Sequence, residues 1–225
     1  MFQVCFNHKI MEKINYYTER NIHDLDKIAE LLNDLPPFCE DYFLGIEMRT
    51  SSQTRLKYAY DLRIFFDFIC KKRIRNKTIN DLTLEDLERL QHNDIEAFLS
   101  YLSSYVYNGK RLTCDERAKA RKLSAVRALF KYFFSRGLIR VDNAAKVQTP
   151  KQHDREIIRL DVDEISDLLS VTENGTGLTK HAAHYHAKTA TRDRAIITLF
   201  LGTGIRISEL VGLDKDSFNF SDNSF

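Results

Sequence analysis

The sequence predicts a mainly α protein, and two kinds of observation support this fold class. Apolar residues recur at spacings of three and four, which is the period of a helix that buries one face. Serine, threonine or aspartate precedes these stretches and glycine often follows them, as at helix ends. With 225 residues, the chain is long enough for one large domain or two small ones.

The helical pattern is strongest between residues 36 and 140. Ser51 or Ser52 can cap the first long helix of this region. Its apolar stripe consists of Ala59, Leu62, Phe66 and Ile69. Thr83 and Asp86 have the spacing of a capping box, which predicts a short helix after them.

Two further helices complete the predicted bundle. Asn93 with Glu96 predicts the start of one helix, which continues to Gly109. Thr113 predicts the start of the most basic helix, and Gly137 predicts its end. We therefore expect four or five helices packed around a core of their own.

The helical pattern is weaker outside this bundle. Residues 1–35 predict one or two amphipathic helices as an N-terminal extension. Residues 141–159 are polar, contain Pro150 and lack a strong period, which predicts a linker between domains. Residues 160–225 predict a second domain, whose first helix is capped by Asp161.

The net charge of +2 conceals an uneven distribution. Residues 1–50 lean acidic, whereas residues 110–151 are strongly basic and a second basic run covers residues 71–77. Such a local excess indicates a polyanionic partner, most simply nucleic acid, although a solvated helix face explains it equally well.

The four cysteines are scattered and form no Cys-x-x-Cys pair. No signal peptide and no apolar run of membrane-spanning length is evident in the sequence. We therefore expect reduced thiols in a cytoplasmic protein that has no membrane partner.

The most informative segment is RDRAIITLFLGTGIRISELVGL, residues 192–213. It predicts an apolar helix, a turn at residues 202–204, and a second short helix that opens on Arg206 and Glu209. A glycine turn leading into a helix favours an anion, because free N–H groups and the helix dipole point at it. An arginine at that place adds a bidentate phosphate clamp that keeps its charge. An ordinary helix corner with a surface arginine is the alternative.

This segment resembles the first catalytic-arginine motif of the tyrosine recombinases, the family of phage integrases and Xer-like proteins. Residues 122–139 resemble the last long helix of the family's SAM-like core-binding domain, and residues 147–151 resemble its linker. The resemblance implies a core-binding domain at residues 36–140, followed by the incomplete N-terminal part of a mixed α/β catalytic domain. The two domains would clamp a DNA duplex between them.

The resemblance implies a site-specific recombinase or integrase that breaks and rejoins DNA strands through a phosphotyrosyl intermediate. It implies that a tyrosine attacks the phosphodiester, that two arginines hold the non-bridging oxygens, and that neither a metal nor a cofactor is needed. Arg206 matches the first arginine, and Glu209 matches an acidic position that orients it. The implied partners are double-stranded DNA and intact recombinase protomers, assembled as a tetramer on DNA.

The family pattern is incomplete in this sequence. After Arg206 there is no tyrosine, histidine or further arginine, and Lys215 lies too close to Arg206 to match the family's strand lysine. We therefore expect a C-terminally truncated recombinase that binds DNA without cleaving it and exposes apolar surface near its C-terminus. The alternative is a binding-only, shortened integrase that occupies DNA sites or regulates an intact relative.

Two basic helices supply the candidates for contacts with DNA phosphates. We predict that a subset of the following side chains faces DNA: Arg55, Lys57, Lys119, Lys122, Arg127 and Arg136.

A histidine cluster supports a third hypothesis, a metal-responsive DNA-binding regulator. His181, His184 and His186 lie in a stretch from residue 173 to 191 that is rich in small and polar residues. No carboxylate or cysteine partner is evident for them. We therefore predict an exposed loop insertion that binds no metal.

Overall fold

The computed structural model describes residues 15–152, 156, 158–219 and 221–222. Within these residues the fold is mainly α, as predicted, with one small antiparallel hairpin. The chain divides into two compact units. We call Thr18–His153 the helical unit and Asp154–Phe225, with which Met1–Tyr17 is grouped, the C-terminal unit.

The helical unit consists of helices joined by short turns, with the hairpin between its last two helices. The elements in chain order are α1 (Tyr16–Leu32), α2 (Phe38–Ile46), α3 (Ser52–Lys72), α4 (Leu84–Arg89), α5 (His92–Tyr101), β1 (Tyr105–Tyr107), β2 (Lys110–Leu112) and α6 (Glu116–Ser135).

Side-chain caps fix the starts of several helices. The Ser51 hydroxyl accepts a hydrogen bond from the backbone N–H of Thr54 at 3.3 Å, which confirms the predicted start of α3. The Asp86 carboxylate accepts a hydrogen bond from the backbone N–H of Thr83 at 2.9 Å, which confirms the predicted capping box of α4.

The predicted helix from Asn93 to Gly109 is wrong over its second half. The helix α5 ends at Tyr101, and the chain then forms the hairpin β1–β2, with Val106 paired to Arg111. Asn108 and Gly109 form its turn with φ angles of 48° and 74°. Positive φ at both turn residues is what a two-residue hairpin turn of type I′ requires, and Asn-Gly is a favoured pair for it.

The N-cap of the basic helix α6 lies two residues later than predicted. Asp115, rather than Thr113, occupies the N-cap, and its carboxylate accepts a hydrogen bond from the N–H of Ala118 at 2.8 Å. Gly137 follows the helix with φ +69°, as the predicted end requires.

Aromatic rings connect the helices of the core. Phe38 on α2 contacts both Phe66 on α3 and Phe133 on α6 edge to face, at centroid distances of 5.8 and 5.6 Å. Phe65 on α3 contacts Phe98 on α5 in the same way at 5.2 Å. These contacts join four helices into one hydrophobic core.

The helical unit is wider than residues 36–140. Ile28 and Leu31 on α1 are buried in the same core, so residues 18–35 pack as part of this unit. Ala144 and Val147 are also buried in it, so the start of the expected linker at residues 141–159 packs against the bundle. Burial of apolar side chains, rather than composition, decides both boundaries.

The C-terminal unit contains α7 (Val162–Asn174), α8 (Lys180–Thr203) and α9 (Ile207–Val211). Asp161 with Glu164 caps α7, as predicted. None of the side chains described between residues 158 and 219 is buried, and Ile158, Val162 and Ile207 are exposed by 92%, 81% and 71%. The expected apolar surface is therefore present over this unit.

Candidate nucleic-acid interface

Arg206 lies at the N-cap of α9 with 81% of its side chain exposed. Gly204 ends α8 in the left-handed conformation, φ 66°, so the chain turns between the two helices within a few residues. The Glu209 carboxylate accepts hydrogen bonds from the Arg206 backbone N–H at 2.9 Å and from its Nη1 at 3.0 Å. One carboxylate therefore both caps the helix and orients the guanidinium.

The Arg206–Glu209 pair leaves the arginine able to bind an anion. The backbone and side-chain hydrogen bonds from Arg206 hold the pKa of Glu209 below its ordinary value, so the carboxylate is charged near neutral pH. A guanidinium has five N–H donors, and this pair engages Nη1. The remaining donors suit the two oxygens of a phosphate.

Lys122 does not lie on the surface, and its prediction as a phosphate contact is wrong. Its side chain is buried, and Nζ donates a hydrogen bond to Asp61 Oδ1 at 2.7 Å. Arg121 donates to the other oxygen of Asp61, also at 2.7 Å. The buried Asp61 carboxylate needs a counter-charge, and Lys122 supplies it from the facing helix.

Arg127 is also engaged within the protein. Its Nη1 donates to Thr149 Oγ1 at 2.8 Å, Nη2 donates to the Val147 carbonyl, and Nε donates to the Ala144 carbonyl at 3.4 Å. The side chain is partly buried. Its donors hold the segment after α6 against the bundle, and its predicted contact with DNA phosphates stays a prediction.

Arg55 and Lys57 are two residues apart on α3 and have opposite environments. Arg55 is buried, and its Nη1 contacts Glu47 Oε1 at 2.9 Å, which rules out the predicted surface position. Lys57 is exposed and forms no ion pair with any residue that the structure describes. Lys57 stays a candidate for a phosphate contact.

Lys119 and Arg136 lie at opposite ends of α6. Lys119 is partly exposed, and its Nζ donates a hydrogen bond to Ser103 Oγ at 2.8 Å. Arg136 is exposed, and its guanidinium stacks over the Tyr132 ring at 3.7 Å from the centroid. Both positive charges reach solvent, so both stay candidates.

The helical period explains which candidates are buried. Lys122 precedes the buried Val126 by four residues and the buried Leu129 by seven, so it lies on the core face of α6. Further bases of the helical unit are exposed and form no ion pair among the described residues. They include Lys72, Arg75, Arg89, Lys110, Arg111, Arg117 and Lys131. Of these bases, all but Arg89 lie in the two basic runs of the sequence.

Comparison with known proteins agrees with these features. Residues 40–137 match the family model described as phage integrase, N-terminal SAM-like domain. The tyrosine recombinase XerC of Caldanaerobacter subterraneus is 31% identical over 193 residues, an alignment that covers 80% of this chain and 49% of the relative. The chain belongs to the tyrosine recombinase family.

Other tyrosine recombinases show similar levels of identity. XerD of Listeria innocua is 28% identical over 79% of this chain and 51% of its own length. XerS of Streptococcus mutans is 28% identical over 88% of this chain and 62% of its own length. The chain spans about half the length of the XerC relatives that it matches. No solved structure matches it.

The three histidines that the sequence singles out lie on a helix, so the predicted loop insertion is wrong. His181, His184 and His186 belong to the first turns of α8, which Thr179 caps through the N–H of Ala182. At this spacing His186 points away from the other two, and its Nε2 lies 2.8 Å from the Thr172 carbonyl. No three metal-ligating side chains come together anywhere in the described ranges.

Among the described residues, no helix combines the length and the apolar character that crossing a bilayer requires.

Proposed function

We propose that this protein is a site-specific DNA recombinase that acts in the cytoplasm and breaks and rejoins strands through a phosphotyrosyl intermediate. The observation that carries the proposal is the Arg206–Glu209 pair, an exposed guanidinium held by a carboxylate at a glycine turn. Such a pair supplies pre-oriented positive charge where a pentavalent phosphorus develops negative charge on its oxygens. Relatives named tyrosine recombinase XerC support the same reaction class.

The proposed substrate is double-stranded DNA, and the proposed partners are further recombinase protomers that assemble as a tetramer on it. Exposed bases on α3 and α6, among them Lys57, Lys119 and Arg136, would bind the phosphate backbone of the duplex. The arginine clamp would do the electrostatic work, so the proposal includes no metal and no cofactor.

We expect residues 1–225 to bind duplex DNA without cleaving it. Strand cleavage needs a nucleophile in line with the phosphorus, and no tyrosine lies between Arg206 and Phe225. The nearest upstream tyrosine, Tyr185, lies on α8. At 1.5 Å per residue, its Cα is about 27 Å from that of Thr203 along the helix axis. Tyr185 and Arg206 are therefore too far apart to act on one phosphate.

The test uses a nicked suicide duplex, which traps phosphotyrosyl intermediates, together with fluorescence anisotropy on the intact duplex. The 225-residue protein should bind both duplexes and form no denaturant-resistant protein–DNA band. Arg206→Ala should leave the affinity within about twofold, because most phosphate contacts lie on the helical unit. A covalent band that disappears in Tyr185→Phe would contradict the assignment of roles, and failure to bind any duplex would refute the function.

A further inference from the structure

A concave surface next to the hairpin is lined by basic side chains without a carboxylate among them. It is a cavity of about 470 Å³ between the end of α3, the end of α5 and the hairpin. Its lining consists of Lys71, Lys72, Tyr101, Ser104, Tyr105, Val106 and Arg111. We call this cavity the basic notch. Three cations and no carboxylate line it.

Two neighbouring cavities of the same unit provide the contrast. One is lined by Arg63 with Asp34 and Asp67, and the other contains two further carboxylates beside its bases. In the second cavity Lys77 pairs with Asp86 at 2.6 Å and Arg73 pairs with Asp94 at 2.9 Å, so two of its three cations are compensated by carboxylates of the same lining. The basic notch differs from both cavities in having no carboxylate in its lining.

The pairing of each cation determines the charge of the basic notch. Lys71 pairs with Asp67 at 2.8 Å, so its charge is largely compensated. Lys72 and Arg111 are exposed and form no ion pair with any residue in the described ranges. Lys119 adds another positive charge beside the rim, since its Nζ donates to the hydroxyl of Ser103. Two uncompensated charges thus converge from a helix and a strand.

Two tyrosines, Tyr101 and Tyr105, line the basic notch. Phe68, Tyr101 and Tyr105 form a row of rings with centroid distances of 5.0 and 5.5 Å. Burial, with the neighbouring Cys114, raises the pKa of Tyr105 to about 12, so its hydroxyl is uncharged at neutral pH. Tyr105 therefore adds no negative charge that would oppose an anion.

We propose that the basic notch binds a backbone phosphate of duplex DNA, with Lys72 and Arg111 as its two ligands. The inference rests on the proposed function, because it assumes that the helical unit binds DNA. Arg111 presents a planar guanidinium from a strand whose register with Val106 is fixed, and Lys72 presents an ammonium from the last turn of α3. Together they hold one phosphodiester between the hairpin and the helix.

The alternative is that Lys72 only complements the dipole of α3 and that Arg111 is a solvated hairpin residue. The two alternatives predict different salt dependences of DNA binding when Lys72 and Arg111 lose their charge. Each lost duplex phosphate contact lowers the slope of log K against log salt by about 0.9. A solvated base contributes no such change.

The test compares two double variants that each remove two positive charges from the full 225-residue protein. Lys72→Gln with Arg111→Gln removes the proposed ligands, and Arg75→Gln with Arg89→Gln removes exposed bases outside the basic notch. Binding to a 30-base-pair duplex is followed by fluorescence anisotropy as the salt concentration is varied. We expect the first variant to lower the salt slope by about 0.9, the value for one lost phosphate contact, and the affinity at 0.1 M salt by about tenfold. The control should retain the wild-type slope.

Further measurements separate the possible failures. The charge-conserving variant Lys72→Arg with Arg111→Lys should keep the wild-type slope, and circular dichroism should show unchanged helix content in all variants. If the two glutamine variants changed the salt slope and the affinity equally, the basic notch would not be a phosphate site. DNA binding by the helical unit would remain supported. A wild-type protein that binds no duplex would overturn the proposed function and this inference together.

Discussion

Asp61 and Lys122 form an ion pair inside the helical unit, and Arg121 closes it on the solvent side. The exposed fractions of their side chains are 1% for Asp61, 6% for Lys122 and 48% for Arg121. A buried carboxylate without a counter-charge is strongly unfavourable, whereas an exposed partner is partly replaced by water. The two cations that share Asp61 should therefore differ in their effect on stability.

Replacing Lys122 tests this difference directly. Lys122→Ala should lower the free energy of unfolding by about 3 kcal/mol, because it leaves Asp61 buried beside a single, solvated partner. Arg121→Ala, the matched control on the same carboxylate, should cost less than about 1 kcal/mol. Guanidinium chloride denaturation followed by circular dichroism measures both. If Lys122→Ala were as stable as wild type and lowered the salt slope of DNA binding, Lys122 would contact DNA rather than stabilise Asp61.

At the scale of elements, Arg127 links α6 to the segment that follows it. Its hydrogen bonds to the Ala144 and Val147 carbonyls and to Thr149 hold residues 144–149 on the bundle. Asn143 adds a second link, since its Nδ2 donates to the Leu90 carbonyl at 2.9 Å. The exit of the chain from the helical unit is thereby fixed by polar contacts as well as by the burial of Val147.

Removal of Arg127 should therefore loosen this exit segment. Arg127→Ala leaves carbonyl groups unsatisfied, so the free energy of unfolding should fall by about 1–3 kcal/mol. Backbone amides within residues 144–149 should exchange hydrogen several times faster than in wild type, as measured by mass spectrometry. Lys131→Ala, an exposed position one turn further along α6, is the control and should leave the exchange unchanged. Unaltered exchange in Arg127→Ala would show that apolar burial alone fixes the segment.

At the scale of the whole molecule, the two units differ in how much of their surface is buried. The helical unit has a continuous core across α1 to α6, with completely buried side chains such as Phe65, Phe98 and Phe130. In the C-terminal unit, none of the side chains described between residues 158 and 219 is buried. Burial of apolar surface is the dominant stabilising contribution to folding, so the two units should differ in stability.

Hydrogen exchange of the 225-residue protein should reveal this difference. Amides in the middle of α3 and α6 should exchange only through global unfolding of the helical unit, whereas those of α8 should exchange at least about a hundredfold faster. The internal control is that all these segments are helical, so secondary structure alone cannot account for different rates. Protection of α8 equal to that of α6 would show that burial does not limit the stability of the C-terminal unit.

Local chemistry in the sequence was sufficient to predict several helix ends. Ser51, Thr83 and Asp161 cap helices at the expected places, because a cap depends on residues only a few positions apart. The hairpin was missed although its signal, Asn108-Gly109 directly after an aromatic and β-branched stretch at residues 105–107, is also local. The turn from α8 through Gly204 into Arg206 and Glu209 followed from the sequence in the same way.

The sequence by itself thus determined the family, the mainly α class, most caps and the motif around Arg206. Only the tertiary structure decided which bases of the helical unit are available to DNA. Lys122 pairs with Asp61 and Arg127 with residues of the exit segment, and those partners lie on other elements of the fold. A helical period gives the face on which a charge lies, but the side chain opposite it is set by how the elements pack.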